Sequence, residues 1–254
     1  MSEPDRCSSP YRVRFDECRP DGRIRTSVLL RYTQDLAGVH SSRRGFTRAW
    51  YAERGLTWLV RAAEVEVLAP IDSGAELVGT TRVAGWRRVW ARRRTDFVDE
   101  AGAPVAEVRI DWVLLDARGA PTRIPAEFEP VFGAVPTTVG LLRVELGDVP
   151  AEAVRSARTV RPQELDPMDH VNNAVYADWL DEAILATHAA GASAIGAIPR
   201  LARLEYARAA SPGATVTTEL WPDGQAWSCR LSDDDGDLLR ARLEPLDAVK
   251  EPRS

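Results

Sequence analysis

The pattern of apolar and polar positions predicts one long helix early in the chain. Apolar residues recur at three- and four-residue spacing between Leu29 and His40, which is typical of a helix with one buried stripe. Thr26 or Ser27 is a suitable N-cap for this helix. A short strand is predicted before it at residues 11–15, and a second, shorter amphipathic helix after it at residues 49–54.

Strand-like runs with turn-forming separators follow these helices and cover residues 57–68, 76–84, 89–98 and 105–115. The same order then starts again. A strand at 156–160, a turn-rich segment at 166–173 and a helix at 174–190 lead to four more runs, at residues 199–206, 215–221, 227–231 and 238–245. Residues 117–154 hold five prolines and four glycines, which predicts a linker with a short strand at 141–146. The chain therefore repeats an architecture with little sequence identity between the copies.

A long helix followed by antiparallel strands must bury its stripe against one face of the sheet. We therefore expect an α+β fold, a tandem (double) hotdog in which each half is a long helix wrapped by an antiparallel sheet. The expected boundaries are 8–133 for the N-terminal half, 134–154 for the linker and 155–249 for the C-terminal half. A generic pair of α+β domains is the alternative.

Composition narrows the classes of function. The 254 residues are 44% apolar and 28% charged, as in ordinary globular proteins, and the net charge of −5 disfavours nucleic acid and anionic membranes as partners. No run approaches the roughly 20 apolar residues of a membrane helix, and the first ten residues lack a signal pattern. The three cysteines form no CxxC pair, so we expect no metal, no cofactor and a cytoplasmic protein with free thiols.

Candidate chemistry is concentrated in the segment LDPMDHVNNAVY, residues 165–176. It places Asp166, His170, Asn172 and Asn173 directly ahead of a predicted helix, whose first N–H groups could stabilise an oxyanion. Asp166 could activate water or attack a carbonyl carbon directly, while His170 orients the reacting groups. The alternative is a structural turn followed by an N-cap, with His170 a structural histidine.

The segment HVNNAVYADW, preceded by an aspartate, resembles the signature of acyl-ACP thioesterases, where ACP is acyl carrier protein. The first half is similar to the same family through GLTWLV at residues 55–60 and through Pro70, Gly74, Trp86 and the DWV run at 111–113. The resemblance spans residues 11–245. It implies a double hotdog that hydrolyses a fatty acyl thioester of ACP, with acyl-CoA as the alternative substrate. Asp166, His170 and Asn173 are expected to be catalytic and Asn172 to bind substrate.

Three residues depart from the plant members of that family. Met168 stands where they have Asn, and Ala209 and Ala210 stand where they have a Glu-Cys pair. Either Asp166 and His170 suffice with backbone amides, or Asp169 or Glu182 substitutes, or catalysis is weakened. A non-catalytic module that binds acyl chains or the carrier is therefore an alternative function, and a hotdog hydratase or dehydratase is a less favoured one.

Aligning Asp35 with Glu182 places Arg19 opposite Asp166 and Arg23 opposite His170, so the first half lacks both groups. We therefore expect one active site per chain, with the N-terminal half contacting the acyl chain. Trp58 and Trp112 are candidates for that contact, with ordinary core packing as the alternative.

The arginine run at residues 87–94 is the strongest charge cluster in the sequence. Arg92, Arg93 and Arg94 could dock an acidic carrier protein, although a solvated strand face explains the charges as well. We expect no nucleic-acid or membrane partner, and the protein is expected to be a monomer or homodimer.

Overall fold

The computed structural model describes residues 5–133 and 140–246, and the ten strands in these ranges form one antiparallel sheet. The first five strands are β1 (Arg6–Arg12), β2 (Thr57–Val67), β3 (Glu76–Arg87), β4 (Trp90–Asp99) and β5 (Pro104–Leu115). The second five are β6 (Val154–Thr159), β7 (Arg200–Tyr206), β8 (Thr215–Asp223), β9 (Ala226–Asp233) and β10 (Gly236–Pro245). The helices are α1 (Thr26–Arg43), α2 (Arg48–Glu53), α3 (Glu129–Phe132), α4 (Asn173–Leu185) and α5 (Ala189–Gly196).

The two halves of the sheet have the same strand order when each is followed inward from its own edge. The full order is β1-β3-β4-β5-β2-β7-β10-β9-β8-β6, so β2 and β7 join the halves. Their antiparallel register runs from Ala62 opposite Glu205 to Val67 opposite Arg200. The predicted α+β double hotdog is confirmed, and the two halves share one continuous sheet.

Helices α1 and α4 pack against each other and carry buried stripes. Leu29, Leu30 and Leu36 of α1 are fully buried, as the periodicity predicts. An ion pair between Arg31 and Asp178, 2.8 Å apart, ties α1 to α4. Apolar residues of both halves belong to one continuous core, so neither helix depends on its own half alone.

A constant offset of 147 residues relates the segments that lead into α1 and α4. Short 3-10 turns lie at Phe15–Glu17 and Pro162–Glu164, and isolated strand bridges join Cys18 to Ile24 and Leu165 to Val171. The helices begin at matching positions, after the N-cap residues Arg25 and Asn172. This register confirms the alignment of Arg19 with Asp166 and of Arg23 with His170.

The described part of the linker, residues 140–153, has no strand, so the one predicted at 141–146 is wrong. Two carboxylates on the sheet take the place of a neighbouring strand. Asp111 accepts from the N–H of Leu142 at 2.7 Å, and Glu205 accepts from the N–H of Val144 at 2.9 Å. The expected domain boundaries stay a prediction, since residues 134–139 and 247–249 lie outside the described residues.

The helix predicted at 174–190 is also shorter than expected. It ends at Leu185, and α5 begins at Ala189 after His188 adopts a positive φ of 58°. Gly191 allows α5 to fold back onto α4, because a Cβ at this position would lie 1.8 Å from the carbonyl oxygen of Ile184. The periodicity continues across this reversal, and for that reason the sequence pattern does not reveal it.

Candidate active site

A tight turn holds the aspartate and the histidine of the predicted motif. The N–H of Asp166 donates to the carbonyl of His170 at 2.8 Å, and the carboxylate Oδ1 of Asp166 accepts from the N–H of Met168 at 2.8 Å. Asp169 takes a positive φ of 60° at the position where the first half has Gly22, with a φ of 79°. The turn therefore fixes one carboxylate oxygen of Asp166 and leaves the other without a bond to this turn.

The two asparagines of the motif form the start of α4. Asn172 is its N-cap, and its side-chain oxygen accepts from the N–H of Ala174 at 2.9 Å. Asn173 is the first helical residue, and its carbonyl accepts from the hydroxyl of Tyr206 at 3.0 Å. The first N–H groups of a helix have no acceptor within that helix. The Asn172 side chain takes the N–H of Ala174, and the Asn172 carbonyl takes the N–H of Val175 at 2.9 Å, which leaves the N–H of Asn173 as the donor for a bound oxygen among the first three.

The tyrosine and tryptophan of the motif support the helix start from behind. The Tyr176 hydroxyl accepts from the N–H of Ala210 at 2.8 Å, which ties α4 to the segment after β7. The indole N–H of Trp179 donates to Glu164, 3.1 Å away in the 3-10 turn before the motif. Both side chains are buried and give the motif a rigid support.

One cavity of about 660 Å³ connects the motif to the N-terminal half. From the second half it is lined by Asp166, Pro167, Met168, His170, Val171, Asn172, Asn173 and Ala209. The first half contributes α1, α2 and the inner faces of β2 to β5, including the predicted residues Trp58 and Trp112. A site assembled from two halves is the arrangement expected of a hotdog pair.

The two ends of this cavity differ in polarity and exposure. His170 and Met168 are exposed, and Asp166 is half-buried. At the other end, Phe128 and Phe132 are buried and pack in an aromatic cluster together with Phe46, Trp50, Tyr51, Trp58 and Trp86. A ligand with a polar reacting group and a long apolar tail would match this gradient.

Comparison with known proteins identifies the family. The model of the acyl-ACP thioesterase N-terminal domain matches residues 4–130, and the model of the acyl-ACP thioesterase C-terminal domain matches residues 148–233. The chain belongs to the acyl-ACP thioesterase family. It is therefore a thioester hydrolase that acts on fatty acyl thioesters, and the family implies acyl-ACP as substrate.

Solved structures agree with the family in fold. A protein described as an oleoyl thioesterase from Lactobacillus plantarum is 20% identical with a TM-score of 0.84, over 97% of this chain and 98% of its own. The 12:0-ACP thioesterase from Umbellularia californica is 21% identical with a TM-score of 0.78, over 94% of this chain and 96% of its own. An acyl-ACP thioesterase from Bacteroides thetaiotaomicron is 15% identical with a TM-score of 0.78, over 94% of this chain and 97% of its own. The comparison with curated proteins found no match.

The residues that could replace the missing family side chains lie away from the thioesterase cavity. Asp169 is exposed in the turn and is not in the cavity wall. Glu182 points to the far side of α4, where it pairs with Arg158 at 2.8 Å. Ala209 does line the cavity, while Ala210 is buried behind it. No carboxylate other than Asp166 lines the cavity within the described residues.

The three arginines predicted to dock the carrier have different surroundings in the thioesterase. Arg92 forms a two-bond ion pair with the buried carboxylate of Asp111, at 2.6 and 2.8 Å. Arg94 pairs with Asp96 and Glu107 on the same face of the sheet. Arg93 points the other way, into the cavity wall, and is only 7% exposed. Docking stays a prediction for Arg92 and Arg94, whereas burial keeps a carrier protein away from Arg93.

A buried polar group lies behind the aromatic end of the cavity and was not predicted. Arg93 donates to Nδ1 of His40 at 2.9 Å and to Ser41 at 3.1 Å, while Nε2 of His40 bonds to Asp5 at 2.7 Å. Burial, together with the charge of Arg93, lowers the pKa of His40. His40 is therefore held as a neutral link between a cation and an anion.

The position in the first half that corresponds to the active site is filled by charged side chains. Arg19, the counterpart of Asp166, is buried and pairs with Asp21 at 2.8 Å. Asp181 and Arg200 are buried nearby, and burial raises the pKa of Asp181 to about 6 against the attraction of Arg200 and Arg19. This arrangement fits the expectation of one active site per chain.

Proposed function

We propose that the thioester binds at Asp166, His170 and the start of α4, with the acyl chain extending to the aromatic end of the cavity. The observation that supports this binding mode is one cavity that joins the motif of the second half to the aromatic cluster of the first half. Trp58 and Trp112 then contact the chain, and Asn172 and Asn173 surround the reacting carbonyl.

Asp166 acts as the general base in this proposal. Met168 fixes one carboxylate oxygen, and the other takes a proton from water as that water attacks the thioester carbon. The N–H of Asn173 at the start of α4 stabilises the oxyanion, and His170 orients the water. The C–S bond then breaks, and the thiolate needs no strong acid because thiols have a pKa of about 8.5.

Direct attack by Asp166 on the thioester is the competing route, and isotope labelling reveals it when water attacks the aspartyl carbonyl of the resulting anhydride. In H₂¹⁸O under single turnover, general-base catalysis places ¹⁸O in the released fatty acid. Direct attack forms an anhydride, and water attack on the aspartyl carbonyl of that anhydride would leave ¹⁸O in Asp166. Label found in the Asp166 carboxylate after one turnover would refute the general-base route.

The experiment that tests the site measures thiol release from acyl-ACP and acyl-CoA. We expect Asp166→Asn to lower kcat by about 10²- to 10⁴-fold, the usual contribution of a general base. Asp169→Asn is the matched control, since it changes a neighbouring carboxylate outside the cavity and asparagine tolerates the positive φ. Unchanged turnover in Asp166→Asn would move the site elsewhere, and a wild type that binds acyl-ACP without releasing thiol would favour the non-catalytic alternative.

Acyl-ACP is the proposed carrier form of the substrate, with Arg92 and Arg94 as the docking candidates. A higher kcat/KM for acyl-CoA than for the matching acyl-ACP would contradict this choice. We propose a cytoplasmic location because Cys7, Cys18 and Cys229 are unpaired. None of the described helices is long and apolar enough to cross a membrane.

A further inference from the structure

The side chain of Gln34 brings an unused hydrogen-bond donor into the cavity. Gln34 lies on α1, in the half that lacks the motif, and it lines the same cavity as Asp166 and His170. Its amide nitrogen Nε2 is buried and has no hydrogen-bond partner among the described residues. Because buried donors in proteins are nearly always paired with a protein group, water or a ligand, this one is open to an acceptor on a bound molecule.

The repeat of the two halves shows what Gln34 faces. With the 147-residue offset, Thr26 corresponds to Asn173 and Gln34 corresponds to Asp181. The Thr26 hydroxyl contacts Asp181 at 3.5 Å across the α1–α4 packing. By the same symmetry the mirrored pair is Asn173 and Gln34, and both of these residues line the cavity, Asn173 as the first residue of α4.

We propose that Gln34 is an oxyanion donor, with its Nε2 hydrogen-bonded to the carbonyl oxygen of the bound thioester. The substrate oxygen would lie between this amide and the N–H of Asn173 at the start of α4, so each half of the chain contributes to the oxyanion site. Gln34 would thereby provide a side-chain donor in a site where Met168 and Ala209 offer none. This inference rests on the proposed function of the cavity.

A nearly isosteric apolar substitution tests the inference. Gln34→Met keeps the length of the side chain and removes the donor. We expect kcat to fall by about 10²- to 10³-fold, the cost of losing one oxyanion donor, with KM changed less than threefold. Because Nε2 has no partner in the protein, the melting temperature should stay the same or rise. Gln225→Met, at an exposed turn between β8 and β9, is the matched control and should leave kcat unchanged.

Two further results separate a donor from a structural role. Gln34→Glu places a carboxylate beside the oxyanion, so its kcat should lie below that of Gln34→Met at pH 8. A folded Gln34→Met variant that keeps kcat within threefold of wild type would overturn the inference. If Asp166→Asn is inactive in that case, the proposed function stands and only the role of Gln34 falls. If both Gln34→Met and Asp166→Asn keep full activity, the proposed location of the site and the role of Gln34 are both wrong.

Discussion

Asp181 offers a test of how the protein accommodates buried charge at the position in the first half that corresponds to the active site. The side chain is 5% exposed, and the Thr26 hydroxyl, at 3.5 Å, is a distant donor to one of its oxygens. The other oxygen has no hydrogen-bond partner among the described residues. Burial raises the pKa of Asp181 to about 6, even though Arg200 and Arg19 attract the charged form. The fold therefore favours the protonated acid.

The shift from 3.8 to about 6 sets the size of the effect. Two pKa units correspond to about 3 kcal/mol between the protonated and charged forms. The pKa of Asp181 is higher in the folded protein than in the unfolded chain. The contribution of the protonated side chain to stability is therefore complete below the unfolded-state pKa and is lost as pH rises through the folded-state pKa. Asp181→Asn removes the charge and keeps the shape. We expect the free energy of unfolding of this variant to exceed that of the wild type by about 3 kcal/mol at pH 7.5 and by about half of that at pH 5.

The assay is urea unfolding of the wild type and Asp181→Asn at pH 5 and pH 7.5. Asp178→Asn is the control, since this carboxylate lies three residues earlier on α4, is partly exposed and pairs with Arg31 at 2.8 Å. Losing that pair should lower the unfolding free energy at both pH values. An Asp181→Asn variant that is no more stable than wild type at pH 7.5, or equally favoured at both pH values, would refute the reasoning.

Two more predictions concern the aromatic half of the cavity. His40 has a lowered pKa, so its neutral form favours folding, and its contribution is lost as pH falls below about 6.5 through the folded value. The unfolding free energy of the wild type relative to that of His40→Gln should therefore drop between pH 7 and pH 5, by up to about 1.4 kcal/mol per pH unit. The control is His188→Gln at an exposed site, whose unfolding free energy should change with pH as that of the wild type does. Trp58→Ala removes an indole whose ring centre lies 6.1 Å from that of Phe128 and should shift the preferred substrate to longer acyl chains on an acyl-ACP panel. An unchanged chain-length profile in the folded variant would exclude Trp58 from the acyl-binding wall.

Local periodicity predicted those parts of the molecule that depend on one element at a time. The stripe from Leu29 to Leu36, the repeated strand order and the 147-residue register all follow from spacing along the chain. The reversal at His188 was missed because the apolar pattern continues through it. The strand predicted at 141–146 was wrong because Asp111 and Glu205, distant in sequence, bind its backbone.

The polar groups of the candidate site were predicted only on the side that carries the motif, while the other half was expected to supply Trp58 and Trp112, which line the cavity. Asp166, His170, Asn172 and Asn173 lie within eight residues of sequence, and their position before a helix identifies them. Gln34 lies on another helix of another half, so its place in the cavity depends on how α1 packs against α4. The partners of Arg92 and Arg93 depend in the same way on which face of β4 each side chain occupies.

The covalent link between the halves changes what substitutions can do. In a symmetric dimer of identical subunits, a replacement at the position of Asp166 would appear in both copies and remove every active centre. Here the two halves, joined through β2 and β7, belong to a single chain. The first half therefore carries Arg19 at the position that corresponds to Asp166, and the second half keeps Asp166. Covalent linkage lets the two halves carry different side chains at matching positions, such as Gln34 and Asp181. Each half can therefore vary without copying its changes to the other.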